Sequence, residues 1–139
     1  MAVQITTDLK QQLEREGLNP DVILSDFACW KDGEDDSCYI FSHDVQNIRS
    51  KFLRHAHMIP VNDAKALKQW NYFWTKDRPH KRRSDRCVIY ADGGSTNGFL
   101  VIALIADPGA HEIWEPSAQI KREKWEKIAD NFIHFGTVV

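Results

Sequence analysis

Eleven residues, Lys76 to Arg86 (KDRPHKRRSDR), carry six Lys or Arg against two Asp, a local charge of +4 in a chain whose formal total is −2. A solvated loop accounts for such a block as readily as a polyanion site does, and nucleic acid is the simplest polyanion. Arg82, Arg83, Ser84 and Asp85 stand just before Cys87–Ala91, an apolar run that reads as a buried strand. A guanidinium held at the rigid start of a strand could stabilise a pentacoordinate phosphorane in RNA cleavage. Asp85 could orient that guanidinium or a histidine, or simply close the turn. His55 and His57 lie two apart on a predicted strand and so share a face. With His43 or Asp44 they could bind a metal, but no third ligand stands at a recognisable spacing. Proton transfer or RNA contact suits one of the two better, and a structural role suits His55 best. Trp70, Phe73 and Trp74 run straight into the cations. Aromatics beside Arg and Lys suit stacked bases with their phosphates, and equally suit an apolar anchor for a loop.

Other chemistry is poorly supported. Asp92-Gly93-Gly94-Ser95 has neither the spacing nor the following helix of a phosphate loop, and Ser95 lacks the context of a nucleophile elbow. Cys29, Cys38 and Cys87 are odd in number and widely spaced, so they form neither a disulfide framework nor a zinc motif, and reduced thiols in the cytoplasm are expected. No signal peptide is expected, and the longest apolar run, Phe99 to Ala106, is far short of the roughly 20 residues that span a bilayer. Apolar content of 42% and charged content of 27% exclude a disordered chain, and 139 residues suit a single domain, 1–139. The acids Asp32, Glu34, Asp35 and Asp36 cluster away from the bases, as a one-sided polyanion site would require.

The elements that must position these residues follow from periodicity and caps. Thr6 or Thr7 caps a first helix carrying Leu9 and Leu13, which Gly17 ends. Asn19-Pro20 opens a second helix to about Lys31, with Val22, Ile23, Phe27 and Trp30 at helical spacing. Glu34 to Ser50 reads as a loop anchored by Tyr39 and Phe41. Phe52 to Val61 reads as a strand, with Arg54, Ala56 and Met58 on one face and Leu53, His55, His57 and Ile59 on the other. Asp63 opens a short helix through Ala66, Leu67 and Trp70. Cys87–Ala91, a hairpin loop at 92–98 and Phe99–Ala106 form a meander, the last strand apolar throughout and so central. Ala110 to Trp114 is a short edge strand or irregular. Ser117 caps a final helix whose core stripe is Ile120, Trp125, Ile128, Ala129 and Phe132. The expected fold is α+β: an N-terminal helical hairpin on an antiparallel sheet of three to four strands, with a C-terminal helix.

Several pieces in this order complete the reading: Phe27-x-x-Trp30-Lys31-x-Gly33, Phe41-x-His43-Asp44 and Lys51-Phe52-x-Arg54-x-Ala56-His57. Arg82-x-Ser84-Asp85-x-x-Val88-Ile89-Tyr90, the run Leu100 to Ile105, Pro108-x-x-His111 and Trp125-x-Lys127-Ile128-Ala129-x-x-Phe132 follow. The ordered set resembles the YafO family of type II toxin–antitoxin toxins, which are ribosome-dependent mRNA interferases. The resemblance implies a twisted sheet of the RelE/ParE-like kind, an endoribonuclease without a metal or other cofactor, and a cognate antitoxin that masks the active face. It departs at His43, where the family commonly has Arg. On this reading His57 serves as base or acid, Arg82 and Arg83 clamp phosphate, and Asp85 orients. His43 and His111 are further candidates for proton transfer. Arg54, Lys76, Arg78, Lys81 and Arg86 bind RNA. The partners are then mRNA on the translating ribosome and the antitoxin, in the cytoplasm, with no membrane. A rival reading is a non-catalytic toxin of similar fold that binds a protein target, since one fold hosts both behaviours.

Overall fold

Thr6 opens the first helix as capping predicts: its hydroxyl accepts from the Leu9 N–H at 3.3 Å, and α1 runs Thr7–Arg15. Asn19 does the same for α2 (Pro20–Asp32), its side-chain oxygen accepting from Asp21 N–H at 2.9 Å. The two helices lay Leu9, Leu13, Phe27 and Trp30 on one face of a sheet, against Phe41, Ala56, Met58, Val88, Tyr90 and Val101. Each such side chain contributes about 1.5–3 kcal/mol by leaving water. The structure, a computed structural model, describes residues 2–34, 36–45 and 50–139. Asp35 of the acidic cluster and 46–49 of the expected loop lie outside the described residues.

Among the described residues the sheet has five strands: β1 (Val3–Ile5), β2 (Phe41–Asp44), β3 (Arg54–Met58), β4 (Cys87–Asp92) and β5 (Phe99–Ile105). Their order is β1-β5-β4-β3-β2, and β1 runs parallel to β5 while the other pairs are antiparallel. The expectation of three to four antiparallel strands is corrected on two counts. β1 is three residues long, too short to show alternation, and its pairing depends on Gly98. At φ +72 Gly98 brings Ala2 close enough to accept from Phe99 N–H at 3.0 Å, and a Cβ there would sit 2.3 Å from the Ala2 oxygen. β2 falls where a loop was expected, because its register with β3 is interrupted between Phe41 and Asp44 and its pattern does not alternate.

β5 is covered on both faces, as its unbroken apolar run implied, but it is interior rather than central: β1 and β4 flank it, and β4 holds the middle of the sheet. Its second face, with Leu100 and Ile102, joins Leu53, Ile89, Ala129 and Phe132 beneath the last helix, α5 (Gln119–Phe135). Ser117 does not cap α5. It lies in a 3₁₀ turn (Pro116–Ala118), and Ile120 is 84% exposed rather than core. Ala110–Trp114 is a 3₁₀ turn and not an edge strand. The loop after β4 holds one helical turn, α4 (Gly94–Asn97), whose Asn97 amide donates to the Phe132 and Ile133 carbonyls at the end of α5. Asp63 caps α3 (Ala64–Thr75) as expected, accepting from Ala66 N–H at 3.0 Å. The basic block then makes a 3₁₀ turn (Pro79–Lys81) that returns the chain to β4.

Candidate functional site

The site is built where β2 and β3 meet the segment between α3 and β4. On β3 the faces alternate as predicted, with Ala56 and Met58 under α1 and α2, and Leu53 on the α5 side. His55 packs its ring 4.8 Å from Trp114 and is buried. His57 lies on the same face, nearer the open end. With Ser42, His43, Val45, His80, Arg82 and Arg83 it lines a cavity of about 220 Å³. A larger groove of about 590 Å³ adjoins it, lined by Gln69, Phe73, His80, Lys81 and Arg83. His80 and Arg83 line both.

His57 Nδ1 is buried and has no hydrogen-bond partner. Burial pulls the imidazole below its ordinary pKa. A hydrogen bond with the Ser84 backbone opposes this, and the nearby Arg83 and His43 reinforce it. The shift favours the neutral imidazole. Arg83 is exposed at the cavity rim, as is Lys81 in the adjoining groove. His43 is half-buried on β2, its Nδ1 3.1 Å from the Asp36 carboxylate.

Arg82 requires a correction. It is not free to clamp a phosphate, because its guanidinium is 0% exposed and its N–H groups are taken by the chain. Nε donates to the Pro79 carbonyl at 2.9 Å, Nη1 to those of Cys38 (2.7 Å) and Tyr39 (3.0 Å), and Nη2 to that of Phe41 (3.1 Å). The Trp70 and Trp74 ring centres lie 4.8 Å from the guanidinium carbon, and Asp36 Oδ1 lies 3.8 Å from Nη2. Burial lowers its pKa and Asp36 opposes that. Trp70 and Trp74 thus pack a cation, in the role of anchors rather than stacking platforms. Phe73, on the groove, is the aromatic open to a ligand.

Asp85 and His111 find each other away from the cavity. The Asp85 carboxylate accepts from Gly109 N–H (2.7 Å), His111 N–H (3.2 Å) and the His111 ring (2.9 Å). Burial works to raise the Asp85 pKa, but these hydrogen bonds outweigh it and hold it below the usual carboxylate range. The same contact raises the pKa of the exposed His111. Asp85 therefore orients a histidine, as one of its expected options had it, but not one lining the cavity. Arg86 is half-buried and donates to the Ile59 carbonyl at 2.9 Å, so as an RNA contact it is poorly placed. Lys76 and Arg78 are exposed beyond the end of α3, and Arg54 is exposed at the start of β3 opposite Tyr90.

Two features escaped the sequence reading. His80 joins the cavity and groove, and its only signal was its place inside the basic block. Lys31, Asp44 and Tyr90, from three separate motif pieces, form one cluster. The Lys31 ammonium donates to Asp44 at 2.8 Å and Tyr90 at 2.6 Å, and the Tyr90 hydroxyl donates to Asp44. Burial, then Asp44, pushes the Tyr90 phenol far above its ordinary pKa. This cluster ties the end of α2 to β2 and β4 and fixes Asp44 beside His43. Among the described residues no group of three or more His, Cys, Asp or Glu is placed to hold a metal ion.

Comparison with curated proteins and with solved structures gave no match. A family model described as "Toxin YafO, type II toxin-antitoxin system" matches residues 29–134, from the end of α2 to the end of α5. That span holds every cavity residue, Asp36 and the Lys31–Asp44–Tyr90 cluster, and covers well over half of the chain. The chain belongs to the YafO family of type II toxin–antitoxin toxins.

Proposed function

We propose that this toxin is an endoribonuclease that cleaves mRNA on the translating ribosome by transesterification. The observation that carries the reading is one cavity lined by three histidines, of which His57 and His43 sit in different environments on neighbouring strands, with the Arg83 guanidinium at its rim. The neutral His57 takes the ribose 2′-OH proton as the 2′-oxygen attacks the adjacent phosphorus. A bond forms from that oxygen to phosphorus, the bond from phosphorus to the 5′-oxygen breaks, and His43 supplies the proton the leaving 5′-oxygen needs. The products are a 2′,3′-cyclic phosphate and a 5′-OH end. Arg83, with Lys81 behind it, meets the charge that develops on the phosphate, and the adjoining groove gives the flanking strand a basic path past Phe73. Each proton transfer is typically worth ~10²–10⁴-fold.

Membership of the family implies a cognate antitoxin, which on this reading covers the cavity and groove. The experiment is to map 5′-OH ends on translated mRNA in cells expressing the chain, beside the variants His57→Ala and Arg83→Ala. New ends with the unaltered chain, lost in both variants, support the reading. Growth arrest without new ends refutes it in favour of a non-catalytic toxin acting on a protein target.

A further inference from the structure

We infer that Asp36, backed by the buried Arg82, is the positioning residue that holds His43 with its Nε2 directed to the reacting phosphate. This rests on the reading of the cavity as a nuclease site, and adds a residue that stood out in the sequence only as one acid in a charge cluster. The Asp36 Oδ1 lies 3.1 Å from His43 Nδ1 and 3.8 Å from Arg82 Nη2, so one carboxylate oxygen bridges a buried cation and an imidazole. An ionised carboxylate only accepts, so Nδ1 must carry the hydrogen. The neutral ring then has its lone pair on Nε2, and the protonated ring has its transferable proton there. A free imidazole side chain prefers the opposite tautomer, so the contact selects a minority form.

The backbone supports this assignment. Asp36 has φ +62, a left-handed conformation uncommon for a residue with a Cβ and kept where the surroundings hold it. What holds it is Arg82, whose guanidinium binds the carbonyls of Cys38, Tyr39 and Phe41 and so fixes the path from Asp36 into β2. The anchored cation gives the carboxylate a fixed address, and the carboxylate passes that address to His43. Other charged groups facing His43 are His57 from β3, with His80 and Arg83 from the segment before β4. Arg83 carries only donors, and the acceptor within hydrogen-bond distance of Nδ1 is the Asp36 carboxylate, 3.1 Å away behind the cavity wall.

The test joins two readouts. A long-range ¹H–¹⁵N correlation spectrum of the histidine side chains, recorded on the whole chain with the neutral rings populated, reports the tautomer without requiring activity. Neutral His43 should carry its hydrogen on Nδ1, and Asp36→Gly, which suits φ +62, should return it to the Nε2–H form. Single-turnover cleavage on programmed ribosomes should fall about 10²-fold in Asp36→Gly, with the half-saturating ribosome concentration unchanged. Asp36→Asn, which also tolerates the left-handed backbone and keeps an acceptor, should recover part of that loss. If Asp36→Gly fails to fold for want of a counter-ion to Arg82, the unaltered chain's tautomer and the Asn variant decide. A neutral His43 in the Nε2–H form, or cleavage by both variants at the unaltered rate, overturns the inference. Loss of cleavage in His57→Ala and Arg83→Ala with no effect at Asp36 overturns it while sparing the nuclease reading. Absence of cleavage by the unaltered chain removes the nuclease reading and leaves the tautomer to decide the positioning.

Discussion

At the scale of single residues, His57 carries a buried side-chain nitrogen without a hydrogen-bond partner among the described residues. A buried ring nitrogen without a partner costs about 1–3 kcal/mol. His57→Leu removes that atom while keeping most of the volume, so cleavage should fall by ~10²–10⁴-fold while the melting temperature holds or rises. A large fall in melting temperature, measured by circular dichroism, would show that the ring is structural instead. The pH dependence follows from the direction of the shift. The folded pKa lies below the unfolded 6.5, so the neutral ring's contribution to stability is present above 6.5. It is lost as the pH falls from 6.5 through the lowered folded value. As a base, His57 stays neutral into the same acidic window, so the acid limb of the single-turnover rate should lie below 6.5 and should disappear in His57→Ala. The histidines were legible by type, because few side chains move protons near neutrality. Which of the six belong together was not, because His43 and His57 meet across β2 and β3 while His111 is drawn away by Asp85.

At the scale of elements, Arg82 is a brace between the 3₁₀ turn after α3 and the chain entering β2. Removing it strands four carbonyl contacts and the Asp36 charge, a class of change that costs about 3–5 kcal/mol. Arg82→Met should lower the melting temperature by roughly 10 °C or more. Arg82→Lys should recover little, since one ammonium cannot reach carbonyls on both sides of the fork. An unchanged melting temperature in Arg82→Met would return Arg82 to the role of phosphate clamp. Gly98 is the second element-scale contact. Gly98→Ala drives a Cβ into the Ala2 carbonyl and strains a positive φ, so β1 should detach from β5. Faster amide exchange at Val3–Ile5 with β4 and the rest of β5 still protected is the expected outcome, and uniform protection would contradict it. Helix starts were readable because capping is local: Thr6, Asn19 and Asp63 each serve as the sequence implied. β1 and β2 were not, because strands of three and four residues draw their stability from neighbours distant in sequence.

At the scale of the whole molecule, charge is segregated rather than abundant. The net charge of −2 offers little long-range attraction to RNA, while Lys76, Arg78, Lys81 and Arg83 are exposed on one stretch. Association with programmed ribosomes should therefore weaken with salt. Each exposed cation that truly meets a phosphate adds about 0.7 to the logarithmic salt slope on single-stranded RNA. Replacing Lys76, Arg78 and Lys81 together by Ala should lower that slope, as read from co-sedimentation at several ionic strengths. An unchanged slope would place the contact surface elsewhere.

The sequence by itself determined the parts that depend on near neighbours. These are the caps of the first three long helices, the buried strand β5, the inside-outside alternation of β3, the basic block, and the ordered motifs that mark a YafO toxin. Only the tertiary structure decided which partners each cation and carboxylate bonds. Of two adjacent arginines, Arg82 is buried and Arg83 exposed, because three of the four carbonyls that receive the Arg82 guanidinium come from residues more than forty positions earlier. Asp36 meets His43 through the turn that leads into β2, and Asp85 meets His111 across the end of β5, contacts that no local pattern announces. A charged group's role is set by the partners that desolvate and bond it, and those partners are brought together by the packing of elements that local sequence does not pair.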